Sequence, residues 1–398
     1  MAKKPHGLLI LFEGLPATVI HSQVFDRIQF LDECDIASFD VISYASNRRL
    51  FTESLKQLNT LQKKLNGRLS LARCIRPAMP GAHFANRLKL QNFIENAARS
   101  YDFVQARTDY SAAVAGPICK QMGIPMIWDC RGDAEGEFLE RNKKSGFSSI
   151  LSHWRAHKLR KDAQQAANFC SAATFVSHPL SEMWRKELHN KPYEIIPCLA
   201  DERTFYFSSE LRKQSRKQLG YTDNDIVFVF SGSIAHYQGL DLVSDWFYQL
   251  HKKSLHAHLI VLTPSVEKAK SIFQKLPTSS VRVLHADYKS VNSYLNAADY
   301  GVLIRPASRT NTSAFPTKFA EFSLAGLRVV ISPSVPDCHR YAVEAGNDAP
   351  VVTNPEAFSS KLRDRERISR YARQTLTHKG HEGKTRGLYE TIGENIDR

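Results

Sequence analysis

Short apolar runs alternate along this chain with longer stretches whose apolar residues recur at helical spacing. Seven runs in the first half are predicted strands: Leu8 to Phe12, Asp40 to Tyr44, Leu69 to Ala72, Phe103 to Gln105, Pro125 to Asp129, Ala173 to Val176 and Glu194 to Ile196. Six more follow Gly220: Ile226 to Phe230, His258 to Thr263, Val281 to His285, Gly301 to Ile304, Val329 to Ser332 and Pro350 to Val352. This β/α alternation predicts two doubly wound parallel sheets.

The length of 398 residues also favours two domains, because it exceeds what one ordinary core supports. The two series of strands separate near Pro197 to Phe205. We therefore expect a first domain over residues 1–200 and a second over residues 201–375. The polar, helix-forming end of the chain, residues 376–398, is treated as a separate segment.

The balance of charge is basic, with 54 Lys and Arg against 40 Asp and Glu, a formal net charge of +14. Such an excess predicts an acidic partner. No nucleic-acid-binding motif is present, so an anionic membrane face is favoured over nucleic acid. The densest basic segment, Arg141 to Lys161, could lie on such a face. An ordinary solvated helix surface explains the same segment equally well.

Apolar runs and cysteines bear on the location of the protein. No run approaches the ~20 apolar residues that span a bilayer. Seven scattered cysteines without a Cys-x-x-Cys pair favour reduced thiols. The sequence thus predicts a cytoplasmic protein, with peripheral attachment to the inner face of the membrane as an additional hypothesis.

Residues Asp299 to Ser332 form the most informative stretch, a predicted strand–loop–helix–strand unit. After the strand, the loop offers polar side chains at the carboxyl edge of the sheet, where open α/β folds bind ligands; these are Ser308, Thr310, Asn311, Thr312 and Ser313. Pro316 then opens a helix that ends at Gly326. The amino terminus of this helix faces the loop and favours an anion such as phosphate.

Lys318 is unusual in that first helical turn, because its charge opposes the helix dipole. Two explanations remain open. Glu321 could form a solvated ion pair with it, worth roughly 0.2–0.5 kcal/mol. Alternatively, Lys318 holds a ligand diphosphate and the Glu321 carboxylate accepts hydrogen bonds from ribose hydroxyls.

In the first domain, candidate residues follow two predicted strands. Gly14 comes after the first strand, where backbone can approach a ligand, and His21 lies near the start of the next helix. Arg131 and Asp133 follow the strand Pro125 to Asp129. Their charges could serve a functional site at this edge of the sheet. An ion pair from Arg131 to Asp133 or Glu135 that only stabilises the turn would explain them equally well.

Several motifs resemble the GT-B glycosyltransferases of the group 1, family four type. The motifs are Glu321-Phe-Ser-Leu-Ala325-Gly326-Leu-Arg328-Val329-Val330, Pro316-Thr317-Lys318, Ile196-Pro197-Cys-Leu-Ala-Asp201 with Phe205, and Phe228-Val-Phe-Ser231-Gly232-Ser233. The second motif resembles a bacterial subgroup that builds surface polysaccharides. The resemblance implies a GT-B fold, two Rossmann-like domains facing each other across a cleft, with the final helix crossing back to the first domain.

The chain departs from this family at three positions. Ser313 stands where the family has a first glutamate, and Ser233 and Gln238 stand where it has the Arg and Lys that neutralise the diphosphate. Positive charge must then come from elsewhere, with Lys318 first and Arg305 or Arg309 next.

By resemblance, the donor site comprises Gly232, Ser233, Gln238, Arg305, Asn311, Thr312, Ser313, Thr317, Lys318 and Glu321. The acceptor side comprises Gly14, His21, Arg131 and Asp133, and the catalytic candidates are Lys318, Glu321 and Asp133.

The resemblance implies transfer of a sugar from a nucleoside diphosphate, UDP rather than GDP, to a glycan or lipid-linked acceptor. It further implies retention of configuration, a role in surface-polysaccharide synthesis and no metal or cofactor. Nucleotide-sugar epimerisation and a non-enzymatic subunit that binds a membrane or protein partner are the alternatives.

Metal independence can be tested directly. The sequence contains no His/Cys cluster that would hold a divalent ion. Transfer should therefore survive excess chelator in an assay of nucleotide release. Complete loss of activity that is restored by added metal would contradict this expectation.

Overall fold

The computed structural model describes residues 4–16, 20–142, 147–351, 354–359 and 364–394. The chain divides into two compact units. One comprises Met1–Pro197 and Glu382–Arg398, and the other comprises Cys198–His381. Each unit is built on one parallel sheet with helices on its faces. Within the described residues, no helix is both long and apolar enough to cross a membrane.

The first unit has a seven-stranded sheet in the order β3-β2-β1-β4-β5-β6-β7. Its strands are β1 (His6–Leu11), β2 (Ser38–Ala45), β3 (Leu69–Arg73), β4 (Phe103–Arg107), β5 (Met126–Cys130), β6 (Ala172–Phe175) and β7 (Tyr193–Ile195). A π-helical turn, His21–Phe25, precedes helices α1 (Asp26–Glu33), α2 (Arg48–Gln62), α3 (Ala82–Glu95), α4 (Asp109–Met122), α5 (Ala134–Arg141), α6 (Phe147–Phe169) and α7 (His178–Trp184). The strand order reverses direction between β1 and β4.

The second unit has a six-stranded sheet in the order β10-β9-β8-β11-β12-β13. Its strands are β8 (Ile226–Ser231), β9 (Ala257–Leu262), β10 (Val281–Leu284), β11 (Tyr300–Leu303), β12 (Arg328–Ile331) and β13 (Asp348–Pro350). Its helices are α8 (Ser209–Leu219), α9 (Leu240–His251), α10 (Val266–Ile272), α11 (Tyr288–Ala297), α12 (Arg309–Ser313), α13 (Thr317–Leu324), α14 (Pro336–Ala345) and α15 (Arg365–Thr375), with 3-10 turns at His236–Gln238, Pro355–Ala357 and Lys379–His381. Here the strand order reverses between β8 and β11.

The predicted fold class, two doubly wound parallel sheets, is confirmed, and each of the thirteen predicted strands is present. The last strand is displaced: Asp348 to Pro350 pair with Val329 to Ile331, whereas the prediction began at Pro350 and ended at Val352, which lies outside the described residues. The other difference is α12, a single turn inside the predicted polar loop. Ser308 begins this turn by accepting a hydrogen bond from the Asn311 main-chain N–H at 3.2 Å.

The helix α13 begins and ends as its sequence predicts. Pro316 is its N-cap residue, and Gly326 follows its end with φ of +74°. A Cβ on this glycine would lie 2.6 Å from the Arg365 carbonyl oxygen, so the turn requires glycine. Phe319, Phe322 and Leu324 are fully buried, and they anchor the helix beside the sheet.

The final helix, α16 (Glu382–Glu394), belongs to the first unit. Tyr389 packs against Phe39 and Phe103, and its hydroxyl donates to the Gln105 side chain at 2.5 Å. Leu388 and Ile392 are buried in the same apolar cluster.

Asp109, the first residue of α4, is a buried carboxyl group that follows a strained residue. Thr108 has φ of 73° and ψ of 161°, a conformation that costs a non-glycine residue about 1–3 kcal/mol. The Asp109 carboxylate accepts hydrogen bonds from Trp128 Nε1 at 3.2 Å and from the Cys130 thiol at 3.7 Å. Burial and, to a smaller extent, the negative charges of Asp162 and Asp133 raise the pKa of Asp109 to about 7. The two hydrogen bonds lower this pKa but do not offset the effect of burial.

This pKa predicts how stability changes with pH. Between about pH 4 and pH 7 the folded protein keeps a proton on Asp109 that the unfolded chain has released, so stability falls as pH rises. The effect is at most ~4 kcal/mol. Urea unfolding at about pH 5 and pH 8 should show that Asp109→Asn removes this part of the decline, whereas the exposed Glu95→Gln control retains it. An equal decline in Asp109→Asn and the wild type would contradict the assignment.

Candidate active site

The carboxyl edge of the second sheet holds the predicted donor residues. The loops after β8 and β11 meet at the point where the strand order reverses, the usual ligand position in such sheets. Gly239 allows the contact: it has φ of +70°, and a Cβ there would lie 2.4 Å from the Ile304 carbonyl oxygen. The two loops can approach this closely only because position 239 lacks a side chain.

Arg305 is held at this point by both its main chain and its side chain. Its N–H donates to Ser332 Oγ at 3.0 Å, and its carbonyl oxygen accepts from Ser334 Oγ at 2.8 Å. Its guanidinium donates from Nη1 to Asn311 Oδ1 at 3.2 Å and from Nη2 to Gln238 Oε1 at 2.9 Å. The position of the charge is therefore determined by four neighbouring residues.

Within the described residues, the charge of Arg305 has no acidic partner. The residue is only 7% exposed, and among the described residues no Asp or Glu forms an ion pair with it. Its Nε is buried and has no hydrogen-bond partner in the described part of the chain. Burial lowers the pKa of Arg305, yet a guanidinium stays charged at neutral pH. A buried cation among neutral amides is unfavourable unless an anion joins it.

Lys318 and Glu321 do form an ion pair, with Lys318 Nζ 2.9 Å from Glu321 Oε2 and 3.2 Å from Oε1. The pair is not the solvated one that the sequence suggested, because the Glu321 side chain is 4% exposed and that of Lys318 is 31% exposed. Thr317 is the first residue of α13, and Pro316 provides no side-chain cap for it. The Lys318 charge and the uncapped helix amino terminus thus lie in one turn.

The polar residues before α13 make local hydrogen bonds. Asn311 is fully buried and donates to the main-chain oxygens of Tyr237 and Pro306, at 3.1 and 3.0 Å, which ties the two loops together. Thr312 Oγ1 donates to the Ser308 carbonyl at 3.0 Å, and Ser313 Oγ donates to the Arg309 carbonyl at 3.0 Å. The Ser313 hydroxyl proton is thus directed into its own turn.

The glycine turn after β8 is also engaged. The Gly232 N–H donates to the Leu262 carbonyl at 3.0 Å, so this main-chain group of the predicted donor site already has an acceptor. Ser233 Oγ accepts from the Ala235 N–H at 3.4 Å. A Cβ at Gly232 would lie 3.3 Å from Gln238 Oε1, the atom that accepts from Arg305.

The first unit has a comparable arrangement where its strand order reverses. Arg107, the last residue of β4, donates from Nε to Glu13 Oε2 at 2.9 Å, and its Nη1 lies 3.6 Å from Asp129 Oδ2. Arg131 contacts Asp129 at 3.4 Å and Gln23 at 3.1 Å. Burial would raise the pKa of Asp129, but nearby arginines outweigh it and lower that pKa.

The predicted acceptor-side residues have defined structural contacts. Gly14 has φ of +71° and a Cβ there would lie 2.8 Å from Leu50, so it serves close packing. His21 Nε2 lies 3.2 Å from the Leu15 carbonyl oxygen. Asp133 is buried and begins α5 by accepting from the Gly136 N–H at 3.1 Å. Glu135, proposed as a partner of Arg131, forms an ion pair with Arg160 at 3.6 Å.

Sequence reasoning missed Ser332, Ser334, Tyr237 and Arg107. Arg107 is the last residue of β4, Ser332 and Ser334 follow β12, and Tyr237 lies in the 3-10 turn after β8, so all four are at the sheet edge at which the candidates were sought. That position was the available signal. No group of three or more metal-ligating side chains occurs among the described residues.

Comparison with known proteins identifies the fold. No family model and no curated protein sequence matches the chain. Among solved structures, HepE of Anabaena in complex with UDP has a TM-score of 0.70 at 13% identity, covering 98% of this chain and 100% of HepE. Sucrose-phosphate synthase of Thermosynechococcus elongatus has a TM-score of 0.67 at 11% identity, covering 98% and 99%. A glycosyltransferase of Rickettsia africae has a TM-score of 0.66 at 12% identity, covering 98% of each chain. The chain therefore has the GT-B fold of these structures.

Proposed function

We propose that this protein is a glycosyltransferase that moves a sugar from a nucleoside diphosphate, with UDP preferred, to a glycan or lipid-linked acceptor. The observation that carries the proposal is the buried Arg305 guanidinium, which has no carboxylate partner in the described part of the chain. Retention of configuration, metal independence and a role in surface polysaccharides belong to the same proposal and rest on the sequence resemblance.

The two sheets differ in the charge at their reversal points. In the first unit Arg107 meets the carboxylate of Glu13, so the arginine charge is compensated. In the second unit Arg305 occupies the corresponding place after the neighbouring strand and meets the neutral amide of Gln238. The second edge is thus left positive and suits an anionic ligand.

A diphosphate fits this charge pattern. Gln238 stands where the resembling family has a cation, and Arg305 brings a guanidinium to within 2.9 Å of the Gln238 side chain. Departure of a nucleoside diphosphate builds negative charge on its oxygens, and Arg305, Lys318 and the amino terminus of α13 would stabilise that charge. HepE, a protein of the same fold, was solved in complex with UDP, which makes UDP the first nucleotide to test.

Calorimetric titration of UDP tests the role of Arg305. Arg305→Met should weaken UDP binding by about 10- to 100-fold, because it removes a charge-assisted contact. Its thermal stability without UDP should be close to that of the wild type, because the substitution also removes an uncompensated buried charge. Arg282→Met, an exposed arginine of the edge strand β10, is the matched control and should bind UDP normally.

The same titration distinguishes the two explanations of Lys318 and Glu321. If the residues hold diphosphate and ribose, Lys318→Ala and Glu321→Ala should each weaken UDP binding by about tenfold or more. Glu321→Gln should be milder, because its amide oxygen still accepts one hydrogen bond. If the pair is only structural, all three variants should bind UDP as the wild type does.

If each of the single variants Arg305→Met, Lys318→Ala and Glu321→Ala binds UDP with wild-type affinity, the assignment of the donor site is wrong. The alternative of a non-enzymatic subunit would then be favoured. Epimerisation is tested separately, by supplying a UDP-sugar without acceptor. An isomerised sugar in that mixture would replace transfer with epimerisation as the activity.

A further inference from the structure

One flank of the first unit exposes large apolar side chains. Their exposed fractions are 38% for Ile75, 52% for Met79, 66% for Phe84, 45% for Leu88 and 59% for Trp154. We call these five residues the apolar flank. An exposed phenylalanine and tryptophan are costly in water when nothing covers them. Their grouping therefore indicates an interaction surface.

Two of these residues lie on the outer face of α3. The buried stripe of this helix is formed by Ala82, Asn86, Leu90 and Ile94, spaced four residues apart. Phe84 and Leu88 repeat with the same spacing on the opposite side, one helical turn from each other. The first half of the helix is thus apolar on the side that faces away from its own core, and Asn92 and Glu95 continue that side as polar residues.

Trp154 belongs to the same flank because two contacts align α6 with this region. Lys158 Nζ donates to the Pro77 carbonyl oxygen at 3.3 Å. One turn further along α6, Asp162 Oδ1 lies 3.1 Å from His83 Nε2. Trp154 is one turn from Lys158 in the other direction, which places it beside the loop that carries Ile75 and Met79.

The two chain segments that carry the apolar flank are basic. Residues 54–94 contain no Asp or Glu and carry Lys56, Lys63, Lys64, Arg68, Arg73, Arg76, Arg87 and Lys89. Residues 141–161 likewise contain no acidic residue. Arg73, Arg76, Lys89 and Arg155 are exposed. Of the basic segment predicted from sequence, Lys143 and Lys144 lie outside the described residues.

We propose that the apolar flank docks on an anionic lipid bilayer. Phenylalanine and tryptophan side chains enter the boundary between headgroups and acyl chains, and surrounding Lys and Arg side chains contact lipid phosphates. The absence of acidic residues from both segments argues for this partner, because a typical protein surface presents both signs of charge. This inference goes beyond the proposed sugar transfer and does not depend on the donor site.

Sedimentation with vesicles tests the proposal. The full chain should bind vesicles of phosphatidylcholine mixed with phosphatidylglycerol, and binding should weaken as salt rises. The double variant Phe84→Ser, Trp154→Ser should bind these vesicles at least about tenfold more weakly than the wild type. Arg76→Gln with Arg155→Gln should also weaken binding by roughly tenfold and reduce its salt dependence.

Val343→Ser is the matched control, because Val343 is 55% exposed but lies in α14 next to Glu344. It should bind vesicles normally. Circular dichroism verifies folding of each variant, and UDP titration should give wild-type affinity in the double variant, which separates this surface from the donor site.

Three results would overturn the proposal. The first is a wild-type chain that does not bind the anionic vesicles, or that binds neutral vesicles of phosphatidylcholine alone equally well. The second is a double variant that binds like the wild type. The third is self-association of the wild type, lost in the double variant and without vesicle binding, which would assign the flank to a second copy of the chain.

Discussion

The ligand edge of the second unit is organised around a buried charge that has no carboxylate partner in the described part of the chain. Arg305 is buried between two neutral amides, Asn311 and Gln238, at the point where the strand order reverses. Hydrogen bonds from Ser332 and Ser334 hold its main chain, and Gly239 permits the neighbouring loop to approach. A protein that only required stability would favour an apolar side chain or an acidic partner at this place. The arrangement is understandable if the missing negative charge arrives with a ligand.

This view changes how the departures from the glycosyltransferase motif are understood. Ser233 and Gln238 lack charge, which at first suggests a site without phosphate affinity. Arg305 comes from the adjacent strand end, 67 residues along the chain from Gln238, and points its guanidinium at the Gln238 side chain. Electrostatic stabilisation depends on where a charge lies and not on which strand supplies it. Under the proposed function, a substitution of this kind would preserve the chemistry while the motif changes.

The ion pair of Lys318 and Glu321 combines features of both explanations offered by the sequence. The residues do contact each other, but Glu321 is buried, so its carboxylate is held by the fold and not by solvent. Lys318 remains partly exposed in the uncapped first turn of α13. A lysine in such a position can exchange its partner for a ligand anion without a change of backbone. The proposed lipid-binding flank would, in turn, suit an acceptor that is itself linked to lipid.

The sequence by itself determined the local elements. Twelve of the thirteen strands and both ends of α13 follow from apolar runs, from Pro316 and from Gly326, because these signals act within a few residues. The one-turn helix α12 was missed, since a polar segment of five residues has no helical period to detect. Only the tertiary structure decided that β8 lies beside β11, and therefore that Arg305 meets Gln238. It also decided that Glu321 is buried and that Arg107 meets Glu13. Strand order depends on how distant elements pack, and hydrophobic periodicity carries no record of it.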